Sequence, residues 1–199
     1  MRKQFNDVWI GSNGTGKTSL MIEACIYYMQ YNPRKRWLWV LPDDAEEKLY
    51  EVEEIEVQDL ETFTGIKKIF IDNEKLFDKF VEVFSRKDFK FHGCLACDDL
   101  GVIMRRRPEA ILRLFRRRRQ PNIEFIWSFH GLRTEVPPSF YTYVNSIILF
   151  RTSDNHRSTM DLLPDAKQEV FEEAYTRIQR ITEINPHYHE EIVINPLDM

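Results

Sequence analysis

Hydrophobic runs long enough to cross a membrane are missing from this chain: no window of about 18 apolar residues occurs in its 199 residues. No apolar stretch follows Met1-Arg2-Lys3-Gln4, so a secretory leader is not expected. Cysteine is scarce. Cys25, Cys94 and Cys97 are odd in number and fall in apolar runs, which speaks against a disulfide framework and fits a reducing cytosol. Excess positive charge is lacking too. The formal net charge is -4, so bulk electrostatics do not announce a nucleic-acid binder. Internal repeats, low-complexity tracts and an obvious linker are also absent. What is present is an ordinary globular composition, with 43% hydrophobic and 30% charged residues. The length suits a single domain over 1–199. With 14 Phe and 4 Trp, the core should be rich in aromatic rings.

The charges are unevenly placed. From Asp43 to Glu61 nearly every charged side chain is acidic, and from Arg105 to Arg119 nearly every one is basic. Short apolar runs read as strands at 7–10, 37–42, 67–72, 93–98, 123–128, 147–151 and 188–194. Helical spacing appears at 17–31, 74–85, 108–118 and 165–181. The strand cores are nearly all apolar and alternate with helices. That pattern predicts an α/β fold, a mostly parallel central sheet flanked by helices. A small acidic excursion is expected near 43–68, in which Val52, Ile55 and Val57 alternate weakly enough for an edge strand. A short helix–strand extension closes the chain. Cys94 and Cys97 form a C-x-x-C pair, but inside a buried strand rather than at a helix start, where a redox pair is favoured.

Residues 11–18 read Gly11-Ser12-Asn13-Gly14-Thr15-Gly16-Lys17-Thr18, a match to G-x-x-x-x-G-K-[ST] between a strand and a helix. Glycines let backbone N–H groups converge on phosphate oxygens, and the helix N-terminus adds partial positive charge. Such a loop calls for ATP and Mg²⁺, with Lys17 on the β- and γ-phosphates and Thr18 on the metal. Hydrolysis also needs carboxylates. Asp98 and Asp99 follow an apolar strand, at the end where open parallel sheets bind ligands. The spacing assigns Asp98 to the metal and Asp99 to the attacking water; the other reading is a capping or solvated pair. Asp72 also follows an apolar run but has no second acid beside it. Ser128 and His130 end the next strand and are candidates to sense the γ-phosphate, His130 being equally readable as a cap or surface residue.

Arg105, Arg106 and Arg107 precede Pro108, Arg113 and Arg116–Arg119 close the segment after it, and four consecutive arginines on a helix cannot all share a face. Three roles compete for them: an arginine finger completing a neighbour's site, a nucleic-acid contact, and a solvated face that offsets the acidic stretch.

GSNGTGKT at 11–18, CLACDD at 94–99, the arginine run to Arg119 and IEFIWSFH at 123–130 occur in that order. The layout, over roughly residues 5–152, resembles the FtsK/HerA-type branch of P-loop ATPases. Within it, the chain looks most like the genome-packaging ATPases of membrane-containing icosahedral viruses, to which the zonula-occludens-toxin-like phage proteins are related. The resemblance implies a RecA-like fold and a homo-oligomeric ring, hexamer or pentamer, that hydrolyses ATP between subunits. It implies movement of DNA, without sequence preference, into a preformed capsid. Capsid-vertex or inner-membrane proteins would be further partners, and the host cytoplasm or the virion packaging vertex the location. Lys17 and Thr18 match the family's phosphate lysine and Mg²⁺ hydroxyl, Asp98 its metal acid and Asp99 its base. Arg119 aligns with the arginine before the fourth core strand, with Arg118 next in register. Relatives often carry Gln where this chain has His130. Two other functions fit a chain of this size: a nucleotide-dependent virion assembly or extrusion factor, and a nucleoside or nucleotide kinase.

Overall fold

The computed structural model describes residues 5–43, 46–117, 122–131, 136, 138–153, 160–161 and 163–195. Strand β1 (Asn6–Ile10) leads through the glycine loop into helix α1 (Lys17–Tyr31), and β2 (Arg36–Leu41) follows. After two 3₁₀ turns (Glu47–Leu49 and Val57–Glu61) come β3 (Ile66–Phe70), α2 (Glu74–Ser85) and β4 (Gly93–Asp98). Then come α3 (Gly101–Arg106), α4 (Pro108–Arg117), β5 (Ile123–Phe129), β6 (Ser146–Leu149), α5 (Asp165–Ile181) and β7 (Glu190–Val193).

The sheet order is β3-β2-β4-β5-β1-β6-β7. All pairings are parallel except β6 with β7, which is antiparallel. This is the expected mostly parallel sheet flanked by helices. From β1 the chain passes beyond β5 and β4 to build β2. The reversal of strand order opens a crevice at the carboxyl ends of β1, β5 and β4.

Period-2 alternation sorts the side chains between the two faces. Trp37 and Trp39 of β2 join Met21, Cys25 and Tyr28 of α1, while Leu38 and Val40 face the opposite layer. That second layer holds Phe77, Phe80 and Phe84 of α2, Ile111, Leu114 and Phe115 of α4, and Phe171 and Ile178 of α5. Asn73 starts α2 by accepting from Leu76 N at 2.9 Å, an N-cap that satisfies one of the helix's orphan donors. The aromatic core expected from the composition is there: Trp37, Trp39, Trp127, Phe125 and Phe129 are among the fully buried side chains. Cys94 and Cys97 lie in opposite layers, and all three cysteines are free and buried. Burial pushes their thiols up, Cys25 to about 12, so none is a ready thiolate.

Two local readings are corrected. The stretch holding Val52, Ile55 and Val57 forms no edge strand. It makes one bridge, Glu54 to Lys68, between 3₁₀ turns, because Ile55 and Leu60 dive into the core instead of alternating along a sheet edge. The helix expected at 108–118 is there, started by Pro108, and a further short helix, α3, precedes it and carries Arg105 and Arg106. The final strand is shorter than 188–194. Among the described residues no helix is long and apolar enough to cross a membrane.

Candidate functional site

The loop between β1 and α1 is built by backbone constraints. Gly11 N donates to Phe129 O at 3.1 Å and Ser12 N to Arg151 O at 2.8 Å, tying the loop to the ends of β5 and β6. A Cβ on Gly11 would lie 2.5 Å from Phe150 Cβ, so only glycine fits that approach. Gly14 and Gly16 take φ of 76° and 93°, the left-handed region that costs glycine little. Thr15 Oγ1 donates to Ser12 O at 2.8 Å. Lys17 opens α1, is 6% exposed, and its ammonium donates to Gly11 O and, at 3.2 Å, to Ser12 O. Gly11 and Ser12 thus anchor the loop to the sheet, and Asn13 to Thr18 line the cleft at the carboxyl end of β1.

β5 lies between β1 and β4, and Asp98 stands in register with Ser128. Thr18 Oγ1 donates to Asp98 Oδ2 at 3.1 Å across the crevice. Asp98 is 9% exposed and also takes a hydrogen bond from the buried Ser128 hydroxyl. Burial holds the Asp98 carboxyl above its ordinary range, against the pull of those two hydroxyls and of Lys17. The next residue turns sharply. Asp99 has φ of 57°, a conformation short polar side chains tolerate, and its N–H donates to Ser128 O at 3.3 Å. Its half-exposed carboxylate meets His130, with Oδ1 3.0 Å from Nε2.

Asn13 to Thr18, Asp98, Asp99 and His130 line one cleft of about 420 Å³. Lys17, Thr18, Asp98, Asp99, Ser128 and His130 are thus brought together. Asp72 is not among the lining residues and follows β3, the outer strand of the sheet. Arg118 and Arg119 lie outside the described residues. Of the other arginines, Arg106 and Arg107 meet Glu74 at 3.3 and 3.2 Å, and Arg107 meets Asp78 at 3.4 Å. Arg113 and Arg116 are exposed on α4, whose other face is buried.

Thr18 and Asp98 offer hard oxygen donors of the kind Mg²⁺ prefers. The pull of Thr18, Ser128 and Lys17 does not cancel the burial of Asp98, so a divalent cation beside it would offset the remaining cost. Among the described residues no three or more His, Cys, Asp or Glu side chains are grouped closely enough to hold a metal ion by themselves. That accords with an ion sharing its coordination with phosphate and water. The residues present fit Mg²⁺ carried in with a nucleotide.

The fold recurs in solved structures. The genome packaging NTPase B204 from Sulfolobus turreted icosahedral virus 2, in complex with ATP-gammaS, superposes with a TM-score of 0.69 at 15% identity, covering 100% of each chain. B204, the DNA-packaging ATPase from Sulfolobus Turreted Icosahedral Virus, gives 0.62 at 14% identity, again over 100% of each chain. EssC (ATPases 2 and 3) from Geobacillus thermodenitrificans gives 0.54 at 16% identity, covering 98% of this chain and 46% of that one. This is a RecA-like P-loop fold. It resembles those of viral genome-packaging ATPases and of a secretion-system ATPase, the Type VII Secretion ATPase EccC of Thermomonospora curvata, whose cytoplasmic domain gives a TM-score of 0.58 at 10% identity, covering 98% of this chain and 26% of that one. No protein-family model and no curated protein sequence matches the chain.

The cleft has a second wall that the sequence reading did not include. Leu41, Pro42, Asp43, Glu46 and Lys48 line it opposite the glycine loop. His187, far along the chain, stands against Gly16, with Nδ1 2.9 Å from where a Cβ would be. Lys48 had one visible signal: it is the lone basic residue between Asp43 and Glu61. His187 had none, because only the return of β7 beside β6 brings it there.

Proposed function

We propose that this chain is an Mg²⁺-dependent ATPase that works as a subunit of a homo-oligomeric ring and moves DNA into a preformed viral capsid. The observation that carries the ATPase reading is the Thr18–Asp98 hydrogen bond beneath the glycine loop, with the Asp99–His130 pair at the same cleft. In this reading the loop N–H groups and Lys17 hold the triphosphate and offset charge as it shifts to the leaving oxygens. Thr18 and Asp98 hold Mg²⁺, which supplies charge neutralisation at the phosphates. Asp99 accepts the proton of the attacking water, and His130 orients that carboxylate through the 3.0 Å contact. Ser128 fixes Asp98 and connects the end of β5 to the metal acid.

Translocation, the ring, DNA and the capsid rest on the likeness to packaging ATPases and on the order of the motifs. Arg119, with Arg118 next in register, is the residue proposed to complete a neighbour's site. Exposed Arg113 and Arg116 supply phosphate contacts to DNA without reading sequence. The whole chain acts as one ATPase domain, in the host cytoplasm or at the packaging vertex. A nucleotide kinase is disfavoured, because Asp43 and Glu46 line the cleft where an anionic acceptor would have to enter.

The test is ATPase activity of the purified protein with and without single- and double-stranded DNA, alongside its solution mass. Stimulated turnover by a ring is expected, and Lys17→Ala should abolish it. Arg119→Ala should cost about 10³–10⁵ in kcat, and mixing it with Lys17→Ala should restore part of the activity. Wild-type turnover by Lys17→Ala would overturn the ATPase reading. Full activity of Arg119→Ala would remove the trans finger.

A further inference from the structure

The acidic excursion is not merely a solvated face, because part of it closes the nucleotide cleft. Lys48, the only basic residue between Asp43 and Glu61, lines that cleft together with the glycine loop and the Asp98–Asp99 pair. Its ammonium donates to Ser19 Oγ at 2.7 Å, and Ser19 follows Thr18 on the first turn of α1. We propose that Lys48 is a second phosphate-binding cation, reaching from the excursion to the triphosphate and exchanging Ser19 for a phosphate oxygen when nucleotide binds. The inference rests on the reading of this cleft as the Mg·ATP site.

Three features support it. The position of Lys48 is fixed by its neighbours in the chain. Leu49 is 3% exposed within the α1-side core, and the buried Lys68 ammonium donates to Leu49 O at 2.9 Å and Tyr50 O at 3.4 Å. A buried lysine spent on two main-chain carbonyls holds this turn against the sheet, while the adjacent exposed lysine is left directed at the cleft. The electrostatics call for such a cation. The cleft carries four carboxylates, Asp43, Glu46, Asp98 and Asp99, against Lys17 and Lys48. A polyphosphate entering among four acids, of which Asp98 is the one assigned to Mg²⁺, needs both ammonium groups to offset repulsion. The geometry is also short-ranged. Ser19 is one residue past the proposed Mg²⁺ hydroxyl, so a flexible four-carbon side chain already seated there needs only a small swing to meet a phosphate.

Equilibrium binding of a fluorescent ATP analogue with Mg²⁺, and its displacement by inorganic tripolyphosphate, tests this. Lys48→Ala should weaken both by about tenfold, the scale of one charge-assisted hydrogen bond at a partly exposed site. Lys48→Arg should keep both within about threefold, because the charge and donors are retained. Wild-type binding that Lys17→Ala abolishes but Lys48→Ala leaves within twofold would overturn this inference alone. Absence of wild-type binding would overturn it together with the ATP-site reading. Equal losses in Lys48→Ala and Lys48→Arg would also overturn it, since a shape-dependent tether of the 46–50 turn would then account for the effect.

Discussion

Asp98 ends β4 and Glu124 begins the neighbouring β5, so two carboxylates are buried at opposite ends of the same sheet, and their surroundings differ. Glu124 is 2% exposed and is closed by the protein itself: Lys35 Nζ lies 3.1 Å from it and the Tyr28 hydroxyl donates to it. Lys35 also sits over the Tyr28 ring, 5.0 Å from its centroid, so charge, donor and π-face are mutually satisfied. Asp98 is 9% exposed; it receives hydroxyl hydrogen bonds from Thr18 and Ser128 and feels the Lys17 charge, but burial outweighs these pulls and Asp99 adds repulsion. The first arrangement ties the end of α1 to the sheet. The second leaves a burial cost that the protein offsets only in part, at the end of the sheet where ligands bind. Burying a carboxylate is therefore not itself a functional sign. The distinction lies in whether the protein's own partners outweigh the cost of burial.

The sharpest way to break the comparison is to change the chemistry at one end and the structure at the other. Asp99→Asn should lower kcat by about 10²–10⁴ with ATP affinity kept, the range of a lost general base. Lys35→Met at the opposite end should leave kcat unchanged at saturating ATP. Steady-state kinetics on both variants decides it, and near-normal turnover by Asp99→Asn would remove the base from that residue.

Asp98→Asn should raise the Mg²⁺ concentration needed for half-maximal nucleotide binding by about 10- to 100-fold, read by Mg²⁺ titration of the fluorescent nucleotide. Glu124→Gln should not move that titration. A similar shift in both variants would mean that the two carboxylates are equivalent structural parts.

The smallest effect is the most discriminating, because it changes sign. Measured by urea denaturation without nucleotide or Mg²⁺, Asp98→Asn should stabilise the protein by about 1 kcal/mol, since it removes an only partly compensated buried charge while keeping an acceptor for Thr18. Glu124→Gln should destabilise by about 1–2 kcal/mol, since it discharges a carboxylate that is paired and hydrogen-bonded. Two destabilising results would erase the difference between the ends.

Much of this molecule is legible in one dimension. The glycine spacing at 11–18 admits few backbone paths, and apolar runs of strand length between helical repeats leave little besides a covered parallel sheet. Asp98 and Asp99 are visible because a carboxylate pair directly after an apolar strand must emerge at its carboxyl end. The sequence therefore determined the cradle, the acid pair, the layer architecture and the inert placement of the cysteines.

Strand order was decided only in three dimensions, because nothing local encodes which strand enters between β1 and β4. That choice places Ser128 in register with Asp98 and sets His130 3.0 Å from Asp99. Tertiary packing also made part of the acidic run a wall of the cleft. Leu49 and Lys68 fix that turn through contacts 19 residues apart in the chain, which no local periodicity reports. It likewise divided the arginines, pairing Arg106 and Arg107 with the acids of α2 and leaving Arg113 and Arg116 exposed. Local patterns fix what a segment must be. Which charges meet depends on long-range pairing, and that is settled only when the whole sheet has formed.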